Sequence, residues 1–217
     1  MTLVSRYALS PEAIEPRSLA LIEELVGPSL PAAPADRLVA KRLLYAAGDV
    51  SFVDQIRIHP DAVAAGVAAL RAGAPIFADV KMVLAGVNRT LSQRLGCRLH
   101  TAIDDPAVTA HARAQHLPRA VEAIRSLGDD LGGAVVAIGN APTALLALLD
   151  LVDAGLQPPA LVVGVPVGFV AAAESKAELV ERRVPFVTVL GTRGGSPLAA
   201  AAVNALLSLA AESPSHG

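Results

Sequence analysis

Apolar residues along this chain form short unbroken runs and longer stretches spaced at three and four residues. Three of the short runs, Val135–Ile138, Leu161–Val163 and Phe186–Leu190, are each followed by a glycine-bearing loop and then by an alanine-rich stretch of helical spacing. Runs of this kind read as strands buried on both faces, and strands alternating with helices imply right-handed crossovers and a parallel sheet. Upstream, helices are expected at Pro11–Val26, Ala35–Ala47 and Pro60–Arg71. Ser10 is available to cap the first, and the last has Pro at its start and Gly73 just past its end. Val50–Ile58 alternates loosely, as a strand or an extended loop. Pro75–Ala78 and Arg98–Ile103 are expected as short strands, Asp79–Gly86 as a short helix and Pro106–Leu127 as a helix interrupted by Pro118. The last three helices fall at Pro142–Ala154, Ala171–Arg182 and Pro197–Ala210. The pattern predicts an α/β fold in which about five parallel strands form one sheet covered by helices on both faces. It is a single domain over residues 1–217, with the tail 212–217 frayed.

Composition narrows the function. Hydrophobic residues make up 53% of the 217 and charged residues 18%, which suits a well-buried globular chain. Net charge is −2 and aromatics are 3%, so the basic footprint and the stacking platform of a nucleic-acid binder are both missing. The single Cys97 excludes an internal disulfide and any multi-cysteine metal site, and fits a reducing compartment. No apolar stretch reaches the roughly 18–20 residues needed to span a bilayer. The expectation is a cytoplasmic protein without a membrane partner.

Parallel strands followed by helices gather their loops along one sheet edge, where ligands of open α/β sheets bind. The loops contain no P-loop, and Gly191-Thr-Arg-Gly-Gly-Ser196 lacks the spacing of a dinucleotide fingerprint. They do offer backbone N–H groups at helix starts, with Asn140, Thr143, Ser175, Thr192 and Ser196 nearby, and helix N-termini attract carboxylates. Tight turns alone would also account for these glycines and prolines. Arg17, Arg42, Arg89, Arg119 and Arg193 lie near glycine, proline or helix-end positions, and arginines gathered at such an edge would pair a ligand's carboxylates bidentately. Taken alone, any one of them is better explained by ordinary surface solvation. His59, His100, His111, His116 and His216 are dispersed, so no metal site is expected. Glu174 and Lys176 read as a helix-surface pair or as neighbours of the loops.

With these loops in view, the chain resembles the precorrin-8X and cobalt-precorrin-8 methylmutase family of cobalamin biosynthesis, from about Arg17 to Ala205. The resemblance is carried by Gly139-Asn-Ala-Pro-Thr-Ala-Leu145, Gly164-Val-Pro-Val-Gly-Phe-Val170, Ala173-Glu-Ser-Lys176 and Gly191-Thr-Arg-Gly-Gly-Ser196. Ala72-Gly-Ala-Pro-Ile76, Asp79, Met82-Val83, Gly86-Val87 and Arg17-Ser18 add to it. It implies a Rossmann-like α/β/α sandwich. The implied enzyme is an isomerase that moves a methyl group from C-11 to C-12 of the macrocycle, giving hydrogenobyrinate or its cobalt counterpart. It further implies a homodimer with the corrinoid near the subunit interface, and no organic cofactor.

Site residues follow from the same resemblance. Arg17 and Ser18 match residues near the pocket, and Arg42 and Arg119 match arginines that hold acidic side chains of the corrinoid. Asn88 stands where the family has threonine, and Arg89 is retained. The loops around Asn140, Gly168 and Gly194, with Arg193, would approach the ring, and Val165, Val167 and Phe169 would meet its face or belong to the core. At the position of the family's proton-donating histidine the chain has Tyr45, within Arg42-Leu-Leu-Tyr45-Ala-Ala-Gly48. A phenol has a pKa of about 10 against about 6.5 for imidazole, so it donates a hydrogen bond but transfers a proton less readily. Three readings stay open: Tyr45 polarises the ring by a hydrogen bond, another acid has taken over, or the chain is a corrinoid-binding protein without catalysis.

Overall fold

The computed structural model describes residues 10–212; the tail expected to fray lies, beyond Glu212, outside the described residues. The sheet has six strands: β1 (Ile56–Ile58), β2 (Ile76–Ala78), β3 (Leu99–His100), β4 (Val135–Ile138), β5 (Leu161–Gly164) and β6 (Phe186–Val189), in the order β1-β6-β5-β4-β2-β3. Five are parallel, as expected. β1 runs antiparallel beside β6, with Ile56 opposite Val189 and Ile58 opposite Val187. The loosely alternating Val50–Ile58 thus contributes a short edge strand after a single 3-10 turn at Val53–Gln55.

Side-chain alternation assigns the layers. Val135, Ala137, Leu161, Val163, Val187 and Val189 point into one apolar cluster, and Val136, Ile138, Val162 and Phe186 into the other. The first cluster is closed by α1 (Pro11–Val26), α2 (Pro34–Ala47), α3 (Ala62–Arg71), the short α4 (Lys81–Gly86) and α10 (Ser196–Ala211). The second is closed by α6 (Pro106–Ala114), α7 (Arg119–Arg125), α8 (Pro142–Asp153) and α9 (Ala172–Val180). Every residue of β2, β4, β5 and β6 is buried, which is why their sequences are apolar apart from Thr188 of β6, whose hydroxyl is satisfied by donating to Gly164 O.

Four local expectations need correction. Ser10 makes no side-chain cap to α1. α3 begins at Ala62 because Pro60 and Asp61 form the turn before it. β3 is two residues long, the rest of Arg98–Ile103 being loop. A further helix, α5 (Arg89–Arg94), follows α4, with the Asn88 side chain accepting the Leu91 N–H at 3.0 Å as its cap.

Candidate active site

The carboxyl ends of the parallel strands carry the loops that set up the site. At the end of β2, Asp79 is 1% exposed, and its carboxylate accepts the N–H groups of Gly139, Asn140 and Ala141 at 3.0, 2.8 and 2.7 Å. Burial pushes its pKa up and the three N–H donors pull it back. The effect is to hold the loop after β4 where α8 begins.

The loops after β5 and β6 are bound to one another. Gly195 donates its N–H to Val165 O at 2.8 Å and Gly168 to Thr192 O at 3.1 Å. Lys176 of α9 reaches beneath and donates from Nζ to Arg193 O at 2.6 Å. Lys176 is fully buried, which excludes the helix-surface pair with Glu174; burial without a carboxylate partner lowers its pKa to about 8. The Arg193 guanidinium turns away from the loop, pairing with Asp49 after α2 and stacking 5.0 Å from the Phe52 ring centroid. Val165 belongs to the core, whereas Val167 and Phe169 are exposed.

A groove of about 390 Å³ starts at Pro197, where α10 leaves the Gly194–Gly195 loop, and runs along the outer side of that helix. Pro197, Ala200, Ala201, Asn204 and Ser208 form its floor, and the small side chains on this stripe leave the space open. Its walls are Arg42, Tyr45 and Ala46 of α2, Glu15 of α1, and Gly86 and Asn88 beyond α4. α2 buries Val39, Ala40, Leu43 and Leu44, so Arg42 and Tyr45, three residues apart, share the flank turned to the groove. Asn204 steadies the opposite wall, donating to Gly86 O at 2.8 Å and accepting the Asn88 N–H at 2.7 Å.

The groove's charges are already paired. Arg42 grips Glu15 with both guanidinium nitrogens, at 2.6 and 2.7 Å, and this holds the Glu15 carboxyl below its usual range. A ligand carboxylate that takes Arg42 must displace Glu15, an exchange between like groups that costs little at a half-exposed position. Sequence reasoning had not singled out Glu15 or Asn204; the latter had a signal, as the lone amide in the apolar run of α10.

Among the expected residues, Arg42, Tyr45 and Asn88 therefore come together. Asn140, Gly168, Arg193 and Gly194 lie on the loops at the sheet edge. Arg17 and Ser18 are not part of the groove lining: Arg17 pairs with Glu24 at 3.3 Å and Ser18 Oγ bonds to Ile14 O at 2.8 Å. Arg89 lines hollows with Lys81, Leu84 and Leu99, and Arg119 one with Arg113 and His116. Among the described residues, no His, Cys, Asp and Glu side chains gather as three or more potential metal ligands, and no helix is long and apolar enough to cross a membrane.

A parallel sheet covered on both faces, with its loops locked together at the carboxyl edge beside a polar-walled groove, defines a Rossmann-like α/β protein with an edge-type ligand site. Comparison with known proteins gives the family. The model of the CbiC family, precorrin-8X methylmutase, matches residues 13–209, and the chain belongs to that family. It is 46% identical over 206 residues to the precorrin-8X methylmutase of Pseudomonas aeruginosa, covering 92% of this chain and 96% of the relative. It is 39% identical over 202 residues to the cobalt-precorrin-8 methylmutase of Priestia megaterium, covering 93% and 89%. The solved precorrin-8X methylmutase from Thermus thermophilus superposes with a TM-score of 0.84 at 37% identity, over 92% of this chain and 98% of that one.

Proposed function

We propose that this protein is an isomerase of cobalamin biosynthesis that moves the methyl group from C-11 to C-12 of precorrin-8X or its cobalt form. It works as a homodimer, in the reducing cytoplasm that its free, buried Cys97 suits. The observation that carries the reading is the convergence of Arg42, Tyr45 and Asn88 on one groove in a chain of this family.

Within the groove, Arg42 exchanges Glu15 for a carboxylate of the corrinoid and fixes its register. Asn88 holds a polar substituent with its side-chain amide. Tyr45 donates its phenolic hydrogen to the macrocycle as charge shifts with the migrating methyl. Backbone around Asn140, Gly168 and Gly194 contacts the ring at the sheet edge, and exposed Val167 and Phe169 cover its apolar face. The methyl stays within one molecule: its bond to C-11 breaks as the bond to C-12 forms, so neither an oxidant nor an organic cofactor is called for. Positioning supplies much of the rate of such a step, so a hydrogen-bond donor suffices where the family has a stronger acid.

The test is an absorbance time course with precorrin-8X, and with the cobalt form alongside. Conversion to the hydrogenobyrinate or cobyrinate spectrum is expected. Tyr45→Phe should lower kcat about tenfold or more at little cost in KM, and Tyr45→His should retain turnover. Tight binding without conversion of either substrate would replace the isomerase by a corrinoid-binding protein. Full turnover by Tyr45→Phe would remove Tyr45 from the chemistry and leave the isomerase standing.

A further inference from the structure

Arg193 is anchored at its backbone and reaches outward with its side chain, and the two ends serve different helices. Its carbonyl accepts Lys176 Nζ of α9 at 2.6 Å. On either side of it, Thr192 O accepts the Gly168 N–H at 3.1 Å, and Gly195 donates its N–H to Val165 O at 2.8 Å. The Arg193 backbone is therefore a fixed point on the loop that begins α10, and Pro197 and Ala200 of that helix form part of the groove floor.

The guanidinium makes three contacts within one short stretch after α2. It pairs with Asp49, donates to Ser51 Oγ at 3.3 Å and lies 5.0 Å from the Phe52 ring centroid. Asp49 also accepts the Ser51 N–H at 2.7 Å, which closes the turn. This stretch follows directly on Tyr45. Tyr45 O accepts the N–H of Gly48, which sits at φ +62, and Leu44 O accepts that of Asp49. α2 buries side chains as far as Leu44, and the next buried side chain along the sequence is Phe52. The turn carrying Tyr45 thus lies between two packed points, and Arg193 ties it to the loop after β6. An aspartate just past a helix C-terminus faces the negative end of the dipole, so Asp49 alone would weaken α2; paired with Arg193 it does not.

Anchoring a substrate is a poor use of this side chain. To take a ligand carboxylate, Arg193 would give up Asp49, Ser51 and Phe52 together, whereas Arg42 gives up Glu15. We propose that Arg193 is a positioning residue of the methyl shift: it spans from the loop after β6 to the C-terminal turn of α2 and fixes Tyr45 in the groove wall relative to the floor formed by α10. The proposal rests on the isomerase reading above, and it moves Arg193 from the carboxylates of the substrate to the placement of the hydrogen-bond donor. A displacement of about 1 Å is enough to lower a rate about a hundredfold. An ion pair as exposed as Arg193 with Asp49 adds little stability, so the strut shows in turnover before it shows in folding.

Steady-state kinetics with precorrin-8X or its cobalt form, whichever the parent converts, tests it, with urea midpoints read alongside. Arg193→Ala and Asp49→Asn open the strut from opposite ends. Each should lower kcat about tenfold, with KM held within about twofold and the midpoint close to the parent's. On a Tyr45→Phe background, Arg193→Ala should lower kcat by less than about twofold, because the strut acts through a hydroxyl that is already gone. A merely structural role would lower kcat alike on both backgrounds. A raised KM at retained kcat would make Arg193 a substrate anchor and overturn the proposal. So would equal losses of kcat on the two backgrounds, or an unchanged kcat in Arg193→Ala and Asp49→Asn; each would leave the isomerase standing. A parent that converts neither substrate would overturn the isomerase reading and this role with it.

Discussion

Asp79 and Gly139 are 60 residues apart in the chain, yet the Asp79 carboxylate accepts the Gly139 N–H at 3.0 Å. With the bonds to Asn140 and Ala141, this one side chain replaces water for three amides at the entrance of α8. Asp79→Asn keeps the shape but presents an NH2 to a row of N–H donors. The expected loss is about 2–3 kcal/mol, read as a lower urea midpoint at unchanged slope. An unchanged midpoint would mean that water or another acceptor serves the loop.

Gly194 and Gly191 stand in the same loop for different reasons. A Cβ on Gly194 would lie 2.2 Å from Val165 O and 2.5 Å from Pro166 O, both backbone atoms that cannot swing aside. Gly191→Ala would meet only the Gln55 side chain, at an ordinary 3.9 Å, but strained backbone, at φ +79. Gly194→Ala should therefore cost about 3 kcal/mol or more by overpacking, against about 1 kcal/mol for Gly191→Ala. Equal losses in chemical denaturation would contradict the close approach of the two loops.

Lys176 gives stability a dependence on alkaline pH. Its folded pKa, about 8, lies below the ordinary 10.5 because burial disfavours the ammonium. Between those values the unfolded chain holds a proton that the folded chain has released, so the parent gains stability as pH rises through the window. Lys176→Met lacks this proton. The parent's stability relative to the variant should grow by on the order of 3 kcal/mol between pH 7 and pH 10.5. Parallel pH profiles would show that the ammonium is solvated.

The α1–α2 contact should respond to acid. Hydrogen bonds from Arg37, and next from Lys41, lower the Glu23 pKa from 4.5 to about 2. A depressed carboxyl stabilises fully above its unfolded pKa, so this contribution is present above about pH 4.5 and lost as pH falls towards 2. The melting-temperature gap between the parent and Glu23→Gln should close over that range, and salt should narrow it at neutral pH because Glu23 is half-exposed. A gap that persists at pH 2 would point to packing instead.

Glu15 competes with substrate for Arg42. Glu15→Gln weakens the fork and removes the competing charge, so KM should fall about twofold to fivefold, in line with the small worth of exposed ion pairs. Arg42→Ala should raise KM instead. A rise in KM for Glu15→Gln would mean that the pair positions Arg42 for substrate.

The layers of this fold were legible along the chain because burial on both faces leaves β4 and β5 no polar side chain and β6 only Thr188, whose hydroxyl donates to Gly164 O. The helices between them were legible through spacing and end residues. The family, too, was legible, since the glycine-bearing loops keep their wording wherever backbone approaches backbone, as Gly194 does on Val165. β1 was obscure because an edge strand of three residues with one face exposed carries little pattern, and α5 because six residues hold less than two turns. Local sequence also pointed to arginines without saying which converge. Arg42 meets Tyr45 because both follow one helix face, but Asn88 joins them through Asn204, 116 residues away. Arg119 stays on the opposite layer, and Lys176, which the sequence left open between a surface pair with Glu174 and a place beside the loops, is buried. Such outcomes depend on which helices pack against which face of the sheet, and long-range packing leaves no mark on the few residues around each side chain.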